Sequence, residues 1–237
     1  WQVRSPTLES DLALSNIAQD EIGHARLWYD LLEDFGHDEM DLIWDREAAD
    51  FKHSTLCELP FDEGDWTDVI LRSYLYDVAE AIRLEALLDS SYPRIRDRVE
   101  KVLGEEDYHV QHGRRWLERL AESADGRDRL QSALDRLGPH ATTLFEPADE
   151  ALETRIDDLG LRSATLAEMR AEWLETVSAF LASLDLEFGE PTSPDAIGRD
   201  GHHTDHWAAQ HDEITAAYRE LGRDRVPRIM KDPDDVE

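Results

Sequence analysis

Apolar residues recur along most of this chain with a period near 3.6, the spacing of a helix that buries one stripe. The first such run carries Leu14, Ile17, Ala18, Ala25, Trp28, Leu31 and Leu32. Ser5-Pro6-Thr7 opens it, with proline early in the first turn, and Gly36 ends it. Residues 37–64 read as a short helical piece, Asp41 to Phe51, followed by a loop containing Pro and Gly. Asp65 is placed to cap a second long helix over about 66–89, which Asp89-Ser90-Ser91-Tyr92-Pro93 ends. A third, over about 93–123, carries Val99, Leu103, Val110, Trp116, Leu117 and Leu120. Further helices are expected over about 127–137, near 148–158, over 165–184 and over 204–221. Between the last two, residues 185–203 hold Gly189, Pro191, Pro194, Gly198 and Gly201 and read as a loop. Residues 222–237 read as a loose acidic tail. There is no hairpin signal, repeat or low-complexity tract, so the pattern predicts an all-α antiparallel bundle.

Two of the apolar stripes are interrupted in the same way. Glu21 and His24 sit in the first stripe, and Glu106 and His109 sit in the third. The helix between them, with its stripe of Ile70, Ser73, Leu84 and Leu88, carries Asp77 and Glu80. Residues three apart project from one helical face, so each Glu-x-x-His presents acid and imidazole together. An ionised carboxylate inside a core costs several kcal/mol unless it is paired or binds metal. Two Glu-x-x-His helices, with an acid from each of two others, form the di-iron or di-manganese carboxylate pattern of four-helix bundles. Carboxylate with imidazole suits iron or manganese better than a structural zinc. The expected ligands are Glu21, His24, Asp77, Glu106 and His109, with Glu80 as the alternative to Asp77. The competing reading is a buried ionic network in which Arg83, Arg114 or Arg115 neutralises the acids. One acid is missing from the pattern. Glu9 is about 18 Å from Glu21 along a helix rising about 1.5 Å per residue. The missing acid is therefore expected on a helix preceding Trp1.

Charge narrows the function classes. The 237 residues include 55 acids against 25 Lys and Arg, a formal net charge of -30. That field repels nucleic acid and anionic membranes, and no apolar run approaches a membrane span. Of the basic residues only Lys52, Lys101 and Lys231 are lysines. An acid-rich, lysine-poor surface suits hydration in concentrated salt, where screening blunts self-repulsion. Cys57 is the single cysteine, which excludes a disulfide framework and suggests a reducing, cytoplasmic compartment.

Four segments carry a family resemblance. They are "LALSNIAQDEIGHARLWYDLL", "LEALLDSSYPRIRDRVEKVLGEEDYHVQHGRRWLERL", "LDRLGPHATTLF" and "GRDGHHTDHWAAQHDEITAAYREL". They resemble the ferritin-like subunits of ring 1,2-phenylacetyl-CoA epoxidase, the catalytic PaaA and its partner PaaC. The resemblance covers essentially the whole chain, and its last two segments are PaaC-like. It implies one ferritin-like domain over 1–237. Its core helices would span about 7–35, 66–89 and 93–123, with a C-terminal helical extension over 127–221 and the first core helix absent. It implies a PaaA–PaaC heterodimer or larger complex, a flavin and iron–sulfur reductase, and O2-dependent epoxidation of an aromatic acyl-CoA in phenylacetate catabolism. PaaC typically resembles "DELGQA" where this chain has "DEIGHA"; "EEDYH" (Glu105 to His109) is similar to the PaaA-type "EEKFH". Asp77 falls where PaaA has its third-helix acid. On that resemblance Glu21 and Glu106 bridge two irons, His24 and His109 take one each, and Asp77 caps one. Two other classes stay open: a non-catalytic PaaC-type scaffold, and a stand-alone ferritin-like iron protein.

Other features have plainer readings. His202, His203 and His206 of "GHHTDH" could hold a second metal, but Thr204 or Asp205 capping the last helix is the simpler expectation. Tyr74, Tyr76, Trp28 and Trp116 could line a pocket, though aromatic residues at helical spacing are more often core. Arg114 and Arg115 could meet CoA phosphates or surface acids. His112 could support His109 or face solvent.

Overall fold

The computed structural model describes residues 4–60, 65–189 and 191–222. The acidic tail from 223 onward, and the chain before Arg4, lie outside the described residues. Every regular element among those described is helical: α1 (Leu8–Glu33), α2 (Glu39–Ile43), α3 (Trp66–Glu85), α4 (Pro93–Ala121), α5 (Ala124–Ala141), α6 (Glu150–Asp158), α7 (Leu166–Ala182) and α8 (Trp207–Leu221). Single 3-10 turns occur at Ala48–Asp50, Thr55–Glu58 and Thr142–Phe145. This is the architecture expected of a ferritin-like bundle with extra C-terminal helices.

Local chemistry sets the helix starts. The Thr7 hydroxyl accepts the Ser10 amide to begin α1. Asp65 and Asp68 form a reciprocal capping box at α3, as Thr165 and Glu168 do at α7. Pro93 fills the first turn of α4, where its missing N–H costs nothing. Several boundaries depart from the sequence expectation. The helix expected over Asp41 to Phe51 is a single turn at 39–43, because the amides of Trp44 and Asp45 both fold back onto the Met40 carbonyl. The helix expected over 127–137 runs from Ala124 to Ala141, since Ser123 caps it three residues earlier and Pro139 is accommodated near its end. α8 begins at Trp207, and neither Thr204 nor Asp205 caps it. The Thr204 amide donates to the Glu58 carboxylate, 2.7 Å away.

The main core lies between α3, α4, α5 and α7. Trp173 of α7 is wholly buried and donates its indole N–H to the Leu75 carbonyl at 3.0 Å. α3 and α4 approach closely at Gly113, where an added Cβ would stand 3.1 Å from the Tyr74 Cβ. α1 is held more lightly. It packs on α4, joining a small cluster of Leu84, Val99 and Val102 through Leu27 and Trp28. Leu32, expected in its inward stripe, is exposed, as are Leu8, Leu12 and Ile22. No helix among the described residues is long and apolar enough to cross a membrane.

Candidate metal centre

The lightly held contact between α1 and α4 is where the unusual side chains meet. His24, Asp77, Glu106 and His109 are buried, the last two completely, while Glu21 is partly exposed. The five predicted residues converge as two overlapping groups. Glu21, His24 and Glu106 offer ligand atoms within 4.8 Å of one another, and so do Glu21, Asp77 and His109. Glu21 belongs to both. Glu106 also reaches across, with Oε1 3.2 Å from His24 Nδ1 and Oε2 3.6 Å from His109 Nδ1. Glu80 stands outside both groups and pairs with Arg83 at 3.4 Å.

The polar bookkeeping at this point is incomplete. Both carboxylate oxygens of Glu106 and the Nδ1 of His109 are buried with no hydrogen-bond partner. Orphaned buried groups of this kind are costly, and a cation between them would satisfy all three. The arginine-neutralised reading fails on geometry. Arg83 takes Glu80, Arg114 stacks on the Phe180 ring at 4.8 Å, and among the described residues no Arg or Lys forms an ion pair with Glu21, Asp77 or Glu106.

Electrostatics show the same strain. Burial pushes the Asp77 carboxyl well above the carboxylate range; Glu106, Glu21 and Glu80 add to this, and His109 opposes it. Burial alone would depress both imidazoles. The carboxylates outweigh it, raising His24 to about 9 through Glu106, Glu105 and Glu21, and His109 to about 11 through Glu106, Glu21 and Asp20. Without a cation, the site therefore holds protons where a cation's charge would otherwise sit.

Two supporting residues were not foreseen from the sequence. His24 Nε2 lies 2.7 Å from Glu105 Oε2, and His109 Nε2 lies 3.3 Å from Asp20 Oδ2. Each acid immediately precedes the glutamate of one motif and reaches the histidine of the other. A carboxylate on the far nitrogen fixes a metal-binding imidazole's tautomer and orientation, leaving Nδ1 of each ring facing the glutamates. The signal was present as paired acids, Asp20-Glu21 and Glu105-Glu106.

The aromatic candidates divide. Tyr74 is core against Phe180, and Trp116 packs edge-on to Trp66 at 5.1 Å between centroids. Trp28 and Tyr76 instead line a cavity of about 450 Å³ with Glu80, Arg83, Arg162 and Arg199. Arg115 and His112 line a separate groove, and His112 makes no ion pair or hydrogen bond to His109. Of the three histidines in "GHHTDH", only His203 enters a ligand-like group, and its companions there are His53 and Glu58.

Residues 1–223 match the family model described as "Phenylacetic acid catabolic protein". The chain belongs to that family. It is also 33% identical over 153 residues to the C subunit of 1,2-phenylacetyl-CoA epoxidase from Escherichia coli (strain K12). The alignment takes in 63% of this chain, and the chain spans 60% of that relative's length. The PaaC-like character of the sequence thus has independent support.

Proposed function

We propose that this chain is a subunit of a multicomponent oxygenase of the phenylacetyl-CoA epoxidase type and that it carries a two-metal carboxylate centre, with iron as the metal and manganese as the substitute. The observation that carries the reading is the set of buried orphan atoms on Glu106 and His109, met by Glu21, His24 and Asp77. Glu21, His24 and Glu106 would hold metal on one side, and Glu21, Asp77 and His109 on the other. Glu105 and Asp20 hold the imidazoles with Nδ1 turned inward. Bound iron would supply the oxidising chemistry toward O2 and an aromatic acyl-CoA. One oxygen atom would enter the ring as the epoxide and the other would leave as water, with two electrons from a reductase partner and two protons.

The chain's own residues supply placement. Trp28 and Tyr76 would offer aromatic walls to a planar ring in the cavity they share with Glu80 and Arg83, and burial keeps bulk water from Glu106 and His109. A PaaA-like or PaaC-like protein is the expected partner. The similarity to a PaaC-type relative favours a second reading, in which this chain is the structural member of such a pair and its ligands are inherited but idle. Metal analysis of the full-length protein, purified aerobically with iron, separates the two. Near two irons per chain, with acyl-CoA epoxidation on adding reductase and the partner, supports the first reading. An iron-free chain that still assembles with the partner supports the second. Iron uptake with no partner binding would instead favour a stand-alone ferritin-like iron protein.

A further inference from the structure

A second group of ligand atoms lies under the loop that leads into α8. His53, the buried Glu58 and His203 offer atoms within 4.8 Å of one another. His203 Nδ1 is 2.7 Å and His53 Nε2 is 3.2 Å from the same oxygen, Glu58 Oε1. The other oxygen, Oε2, accepts the Thr204 amide at 2.7 Å. On the far side of its ring, His203 Nε2 lies 3.0 Å from the Phe51 carbonyl. A carbonyl only accepts, so Nε2 donates to Phe51; Nδ1, 2.7 Å from a carboxylate oxygen, donates to Glu58 when no ion is bound and would give up that proton to a metal. His53 Nε2 is buried with no hydrogen-bond partner.

We propose that His53 Nε2, Glu58 Oε1 and His203 Nδ1 bind a divalent transition ion of the zinc type, which clasps the 53–58 segment to the 198–204 loop. Bonds of about 2.0–2.1 Å to such an ion set tetrahedral ligand atoms roughly 3.3 Å apart; His53 Nε2 stands 3.2 Å from Glu58 Oε1, and His203 Nδ1, at 2.7 Å, has only to draw back slightly. Two imidazoles and one carboxylate form a borderline donor set that favours zinc over calcium or magnesium. The surroundings orient it: the Phe51 carbonyl holds the His203 ring, and the Thr204 amide holds Glu58, as outer partners do at metal sites. The loop is shaped to the cluster. Gly198 has φ +71°, and a Cβ there would come within 2.2 Å of the His53 carbonyl and 2.8 Å of Glu58 Oε1. Trp207 closes the other side, with its ring centroid 4.3 Å from that of His53.

The test titrates zinc into the full chain carrying Glu21→Gln and Glu106→Gln, which disables the centre between α1 and α4. One equivalent of zinc is expected to bind and to raise the melting temperature. Adding His53→Ala is expected to abolish both effects, while His202→Ala and His206→Ala, at exposed neighbours, leave both intact. In the otherwise unaltered chain, His53→Ala should lower total bound zinc by one equivalent. Because His53 sits at the rim, the metal-free melting temperature of that variant serves as its folding control. Zinc that persists after His53→Ala, or no zinc in the doubly substituted background, overturns the site and leaves a plain imidazole–carboxylate contact.

Discussion

Asp77→Asn separates a metal ligand from a structural carboxylate by sign as well as size. Asp77 is 5% exposed and its carboxyl is pushed well above the usual range, chiefly by burial and then by Glu106, Glu21 and Glu80. In metal-free protein burial therefore favours its neutral form, and a neutral carboxyl and an amide have nearly the same shape. The substitution should then change metal-free stability by no more than about 1 kcal/mol, about 2–4 °C for a chain of this size. Metal reverses the comparison, because a bound cation draws the proton off Asp77 and uses the carboxylate. At a free metal concentration about 100-fold above Kd, one site adds about 2.7 kcal/mol, roughly 5–11 °C. The variant should lose most of that gain at the position shared with Glu21 and His109. The assay is differential scanning calorimetry of both proteins, with chelator and then with ferrous iron under anaerobic conditions. A loss above about 3 kcal/mol in chelator would mark Asp77 as an ionised partner in a buried ion pair. That result, or an undiminished gain with iron, refutes the reasoning.

Three further outcomes follow from the same geometry. Asp20→Asn and Glu105→Gln each touch only the outer nitrogen of a histidine, so each should weaken metal binding about 10–100-fold without abolishing it; unchanged affinity in a competition titration would deny them that role. His140 is held below the ordinary imidazole range, first by burial, with its Nδ1 2.9 Å from Thr55 Oγ1. The unfolded chain takes up that proton first on acidification, so His140 erodes stability as pH falls through the ordinary imidazole range toward its own depressed value. His140→Gln should flatten that slope in denaturant melts between pH 7 and 5, and an identical slope contradicts it. The charge of -30 is largely unopposed by lysine, so the denaturation midpoint should rise from dilute to molar KCl; equal midpoints remove the case for salt adaptation.

Much of this was legible in the residues. The long helices follow from the 3.6 periodicity, and the site follows from two Glu-x-x-His motifs breaking apolar stripes, because burial makes a misplaced charge conspicuous. What stayed hidden depends on contacts between segments distant in sequence. Nothing local tells that Glu105 meets His24 across 81 positions, or that Asp20 meets His109 across 89. Nor does anything local tell that the Thr204 amide meets Glu58, 146 positions away. His203 was conspicuous within "GHHTDH", but its partners were not its neighbours, since His53 and Glu58 come from a segment far earlier in the chain. Leu32 shows the converse. Periodicity assigns it to a buried stripe, yet it lies exposed near the end of α1.

The most direct test of the central claim is anomalous X-ray diffraction at the iron edge from crystals of the full-length protein loaded with ferrous iron. Two peaks about 3.5–4 Å apart are predicted. One should lie against Glu21, His24 and Glu106, and the other against Glu21, Asp77 and His109. A map with no iron between α1, α3 and α4, its density lying elsewhere or absent, would contradict the account.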